Sequence, residues 1–219
     1  MRLILYITII LSVNLCYSQK EENQIKEILW YGESTTRGTG VPIDKSWRAF
    51  MWTVSDFLSK SKDSVKYKNT NLVFPGWNSK NGLDSLNVKV LNKAFDYVFL
   101  EFGLNDNNTE NPDLYLSQMI KLIKKKNTKS KIVLILLNYI NQISYRIKHK
   151  HLDETSNLWM CVAEKYGIPI IDVTKNLLVR SRDLNFYKSI IPDGTHPNQI
   201  GHYLYASIIY EELIKRSII

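Results

Sequence analysis

Two stretches, residues 96–102 and 131–137, constrain this chain more than any other feature. Each is apolar almost throughout, the second with Ile-Val-Leu-Ile-Leu-Leu at its heart. A strand with one wet face alternates polar and apolar residues, whereas a strand that reads as one apolar run is covered on both faces. Between the two, after Asn111-Pro112, the residues Leu116, Met119, Ile120 and Ile123 recur at helical spacing.

The same alternation extends in both directions. Residues 27–31, 71–74 and 170–173 read as further strands. Trp47, Phe50, Met51 and Val54 share one face of a helix at 47–58. Further helices are expected at about 83–91, at 153–166, and from Asn198 onward, where Ile200, Leu204, Ile208 and Leu213 keep the period. Residues 138–150 read as a loop. Strands alternating with helices argue a parallel sheet covered by helices. The expected fold is therefore α/β: a three-layer α/β/α sandwich around a central, mainly parallel five-stranded sheet. No linker, repeat or low-complexity stretch divides it.

The first residues stand apart. Met1-Arg2 precedes an apolar run from Leu3 to Val13, too short for a membrane-spanning helix, and then Cys16-Tyr17-Ser18. That order is the pattern of a secretory signal peptide. Residues 1–18 are therefore expected to be removed on export to the periplasm or beyond the cell. A single domain, 19–219, would remain, with no stable membrane insertion. Loss of Arg2 from the 29 basic residues leaves 28 against 21 acidic ones, +7 in place of +8. One cysteine remains, Cys161, expected as a small buried core residue in the apolar helical stretch 158–163.

With 44% hydrophobic and 23% charged residues, composition excludes a disordered chain and a multi-pass membrane protein. The basic excess is dispersed or sits at helix ends, as at Lys124, Lys125 and Lys126. Without a recognition motif it indicates no nucleic-acid partner. At most it would bias the protein toward an anionic polymer or surface.

In an open parallel sheet, ligands bind beyond the carboxyl ends of the strands. Four polar segments stand at such places. Gly32-Glu33-Ser34-Thr35-Thr36 follows the first strand, Pro75-Gly76-Trp77-Asn78-Ser79 the second, and Gly103-Leu104-Asn105-Asp106 the third. Pro192-Asp193-Gly194-Thr195-His196-Pro197-Asn198 precedes the last helix. Each type is equally at home in a turn or a helix cap. Each also suits a reacting site: a serine nucleophile, a glycine N–H open to a ligand, a neutral amide donor, and a carboxylate spaced to orient an imidazole.

In this order and placement, the four segments resemble the blocks of the SGNH hydrolase superfamily, the GDSL-type esterases and lipases. The matches are Ser34, Gly76, Asn105 and His196 with Asp193, spread from about residue 28 to 206. The second block is the loosest, and Gly82 is a rival to Gly76. Glu33 stands where the family usually has Asp. The resemblance implies a flavodoxin-like fold and a secreted serine esterase acting on acyl esters, acetyl or short-chain, including those on carbohydrates. It implies a catalytic triad of Ser34, His196 and Asp193, and an oxyanion hole from the Ser34 and Gly76 N–H groups and the Asn105 amide. It implies no cofactor and no metal. Trp77 and Asn78, and Tyr139 or Tyr145, are candidate sugar contacts. His149 and His151 lie in a basic stretch and read as surface; His202 lies inside the last helix and reads as packing or surface. Alternatives within the family are a lysophospholipase, a thioesterase or a catalytically silent carbohydrate-binding domain. The oligomeric state is left open.

Overall fold

Strand β1 (Gln24–Gly32) lies parallel between β2 (Val65–Val73) and β3 (Tyr97–Glu101). Strands β4 (Lys131–Leu136) and β5 (Ile170–Asp172) extend the sheet in the order β2-β1-β3-β4-β5, every pairing parallel. The helices are α1 (Ser34–Arg37), α2 (Phe50–Ser61), α3 (Ser79–Lys89), α4 (Pro112–Lys126), α5 (His151–Tyr166), α6 (Val173–Arg180), α7 (Leu184–Ile190) and α8 (Gln199–Lys215). This computed structural model describes residues 24–41, 49–62, 64–137, 151–180 and 183–219. The expected signal segment 1–18, Trp47, and the 138–150 loop with Tyr139, Tyr145 and His149 lie outside the described residues, as does the His151 side chain.

The double burial of the strands follows from side-chain alternation. Ile28, Trp30, Phe99, Val133, Ile135 and Ile171 point to one face, where α2, α6, α7 and α8 cover them. Their neighbours Leu29, Tyr31, Val98, Leu100, Leu134 and Leu136 point to the other, under α3, α4 and α5. Register aligns Trp30 with Phe99 across β1 and β3. Their rings stack 4.2 Å apart, while Phe50 of α2 meets Trp30 edge-on at 5.5 Å. Such pairs contribute about 0.5–1.5 kcal/mol each beyond area burial. The Trp30 indole N–H donates to Asn69 of β2 at 3.0 Å, so burying it strands no donor.

Several boundaries differ from the sequence reading. β2 begins at Val65, well before residue 71. Its first half, Val-Lys-Tyr-Lys-Asn-Thr, is polar because it forms a sheet edge. α3 begins at Ser79, since Asn78 and Asn81 form a reciprocal capping box without the usual Glu or Gln. α6 and α7 were not expected; α6 follows β5 with no intervening turn residue. Cys161 is exposed, against the expected core position. The buried stripe of α5 runs through Thr155, Trp159, Val162 and Ala163, and Cys161 lies two residues from Trp159 on the opposite side. Among the described residues, no helix is long and apolar enough to cross a membrane.

Candidate active site

The strand order reverses direction between β1 and β3, and segments leaving those two strands diverge to leave a crevice at their carboxyl ends. Ser34 opens α1 directly beyond β1 and is 6% exposed. A hydroxyl there sits low in the crevice, with α1 closed behind it by the left-handed Gly38.

The segment before α8 reaches over to it. Nε2 of His196 lies 3.0 Å from the Ser34 hydroxyl, and Nδ1 lies 2.8 Å from Oδ2 of Asp193. The other Asp193 oxygen accepts the backbone N–H groups of Thr195 at 2.8 Å and His196 at 2.6 Å. Asp193 is thus bound to the turn it orients. Partial burial pushes its carboxyl up, but the His196 N–H, the His196 ring and the Thr195 N–H together hold it below the ordinary carboxylate range. Asp193 is the ionised partner of the His196 ring.

Across the crevice, the loop after β3 carries Asn105, whose amide nitrogen donates to Oε2 of Glu33 and, at 3.0 Å, to the Trp77 carbonyl. These bonds join three of the four segments: Glu33 precedes Ser34, and Trp77 follows Gly76. Gly76 sits in the Phe74–Trp77 turn, closed by the Trp77 N–H on the Phe74 carbonyl at 3.2 Å. Its φ of +76° falls after Pro75, where a type II turn calls for glycine, and the position is exposed. The rival Gly82 has a different task. It lies in α3, its carbonyl accepts the Tyr31 hydroxyl at 2.6 Å, and a Cβ there would come within 2.7 Å of the Phe102 ring. It packs the helix against the end of β3 and is not part of the exposed turn.

The neighbouring candidates have structural partners. Asn78 accepts the Asn81 N–H at 3.0 Å as the cap of α3. Trp77 is half-buried with Phe74 stacked 3.9 Å from it, so one indole face is already covered. Asp106 accepts the Ser79 N–H at 3.1 Å and hydroxyl at 2.7 Å, tying the Asn105 loop to the start of α3. His202 is fully buried, stacks on Phe50, and is pushed down to about 4 by burial. It is therefore a neutral packing residue. Among the described residues, no group of three His, Cys, Asp or Glu side chains is placed to hold a metal.

Sequence reasoning passed over Glu101, the last residue of β3. It is 3% exposed, and its Oε2 accepts the Thr36 hydroxyl at 2.7 Å and the Glu33 N–H at 3.4 Å. A lone acid closing an apolar strand was the only signal it left.

Fold and site together place a serine, an imidazole and a carboxylate in line beyond the carboxyl ends of a parallel sheet. Residues 30–204 match the model of the GDSL-like lipase/acylhydrolase family, and the chain belongs to that family. Among solved structures it is similar to a two-domain esterase (CEX) active on acetylated mannans, at 22% identity and TM-score 0.72. The match covers 93% of this chain and 52% of that one, so this chain spans about half its length. It is also similar to the lipase/acylhydrolase from Enterococcus faecalis, at 22% identity and TM-score 0.67 over 87% of this chain and 96% of that one. A third is Axe2, an acetylxylan esterase from Geobacillus stearothermophilus, at 16% identity and TM-score 0.69 over 88% and 96%. A comparison with curated proteins returned no match.

Proposed function

We propose that this chain is an exported serine esterase that removes acetyl or other short acyl groups from carbohydrate esters. One observation carries the reading: the unbroken line from the Ser34 hydroxyl through His196 to Asp193, at 3.0 and 2.8 Å, in the crevice beyond β1 and β3.

In this mechanism Ser34 Oγ attacks the ester carbonyl carbon as His196 Nε2 takes its proton. Asp193 holds the ring with Nδ1–H toward itself and balances the imidazolium. The tetrahedral oxyanion is received by the N–H groups of Ser34 and Gly76 and by the Asn105 amide. Both amide hydrogens of Asn105 are engaged in this structure. Glu33 keeps one, and the oxyanion takes the other from the Trp77 carbonyl. The C–O bond then breaks, the alcohol leaves with the proton from His196, and an acyl-serine remains. Water attacks that ester with His196 again as base, releasing the acid and restoring Ser34.

The carbohydrate substrate class draws on the esterases named above, which act on acetylated mannans and acetylxylan. Export draws on residues 1–18. Ser34→Ala should abolish hydrolysis of p-nitrophenyl acetate, and the wild-type rate should fall as the acyl chain lengthens. Acetylated mannan and xylan should release acetate. Wild-type turnover in Ser34→Ala would refute the mechanism; a preference for long acyl chains would refute the substrate class.

A further inference from the structure

The proposed reaction leaves two buried acids without a task. Glu33 is fully buried and Glu101 nearly so, and among the described residues neither is paired with a cation. They are neighbours by construction, because β1–β3 register sets Gly32 opposite Glu101 and the chain turns next into Glu33. The Glu33 N–H donates to Oε2 of Glu101 at 3.4 Å, so the two acids lie side by side in the dry interior, where they cannot both be charged without a cation. Around the pair, every contact leads to the reacting groups. Glu33 accepts the Leu104 N–H at 2.7 Å and the Asn105 amide. Glu101 accepts the Glu33 N–H and the Thr36 hydroxyl, the two residues that bracket Ser34 closely in sequence.

We infer that Glu33 and Glu101 form a buried acid pair that keeps at least one proton at ordinary pH, and that this pair positions both Ser34 and the Asn105 amide for the reaction proposed above. Glu33 and Glu101 are positioning residues: they act through Ser34 and Asn105 and touch no substrate. Two acids side by side in a dry interior with no cation beside them cannot both ionise at ordinary pH. The other titratable groups facing the pair reinforce this. Asp106 from the loop after β3 adds negative charge, and Tyr205 from α8 is a buried neutral phenol. Burial first, and then mutual repulsion, hold the Glu33 carboxyl well above its ordinary range; burial likewise raises Glu101. Loss of the retained proton would set two anions against each other beside the nucleophile and force the segments apart.

The pair also leaves a mark on stability. An unfolded chain releases both protons near the ordinary value of 4.5, while the folded pair retains one. The folded state then binds more protons than the unfolded one, so stability falls as pH rises above that value, until the retained proton leaves.

The test uses the full chain with p-nitrophenyl acetate and a melting curve at each pH. Glu101→Ala should lower kcat by about 100-fold with KM within about twofold, as a displacement of about 1 Å would. Glu101→Gln, a neutral isostere able to donate to Glu33, should recover most of that loss. It should also lack the alkaline fall in kcat and the fall in Tm between about pH 5 and pH 8 that are expected of the wild type. If Ser34→Ala is inactive but Glu101→Ala turns over like the wild type, the pair has no role and the esterase mechanism stands. If Ser34→Ala stays active, the mechanism itself fails and the pair's role in it falls too. Should Glu101→Ala not fold, a wild-type pH profile in Glu101→Gln overturns the inference by itself.

Discussion

At the residue scale, the site is a set of polar groups whose partners are all specified. Asn105 carries the most consequence. Its amide is held by Glu33 on one side and the Trp77 carbonyl on the other, so it sits in place before substrate arrives. Glu33 fixes the orientation of the amide, so when charge develops the oxyanion has only to replace the Trp77 carbonyl as its second acceptor. Asn105→Ala should therefore lower kcat by about 100- to 1,000-fold, about 2.7–4 kcal/mol, with KM little altered. Steady-state kinetics with p-nitrophenyl acetate measures this. A rise in KM with kcat unchanged would mean that Asn105 binds the ground state instead. Ser34, Asn105 and the Asp193–His196 pair could be read from the sequence because each sits in a short motif with a chemical reason for its spacing. Glu101 could not. Its meaning depends on lying opposite Gly32 across a strand pair, a relation between residues far apart in the chain. Glu33 was visible only as a departure from the family's Asp. Its partners, Leu104 and Asn105, lie across the crevice from it.

At the element scale, the strands declared themselves in proportion to their burial. β3 and β4 are covered on both faces, and their apolar runs mark them directly. The outer half of β2 lies at a sheet edge, where lysine protects against pairing with another chain and breaks the apolar signal. Cys161 shows how a helix can be recognised while its rotation is not. An apolar stretch fixes the existence of α5, but the buried side follows Trp159, whose indole N–H donates to the Phe102 carbonyl at 2.9 Å. That contact turns Cys161 outward. α3 supplies the prediction at this scale. Because a Cβ at residue 82 meets the Phe102 ring at 2.7 Å, Gly82→Ala should cost about 1–3 kcal/mol of stability through overpacking. Urea titration measures it. Turnover per folded molecule should stay near the wild-type value, since Gly82 belongs to packing and Gly76 to the crevice. Loss of turnover with full stability would reverse those two assignments.

At the scale of the whole molecule, the sheet order explains why residues from four separated segments can meet. β1 and β3 are neighbours in space but send their chains to opposite faces, and the segments that carry Ser34 and Asn105 leave those two strands on either side of the crevice. α8 returns along the β1 face, packed with α2, and so brings the preceding Asp193–His196 turn over Ser34. The first paired residue of the sheet is Gln24, opposite Val65. A cut after Ser18 would thus leave every described strand residue in the mature chain. Removal of residues 1–18 on export should accordingly yield a product beginning at Gln19 that keeps the whole crevice. Expression of the full chain in a secreting bacterial host, followed by intact-mass measurement of the exported material, tests this. The mass should correspond to residues 19–219, and that product should hydrolyse p-nitrophenyl acetate. An exported chain that retains residues 1–18 would show that they act as an anchor, placing the esterase at a membrane surface. Material found only inside the cell would remove the argument for an extracytoplasmic carbohydrate substrate while leaving the crevice and its chemistry as they are.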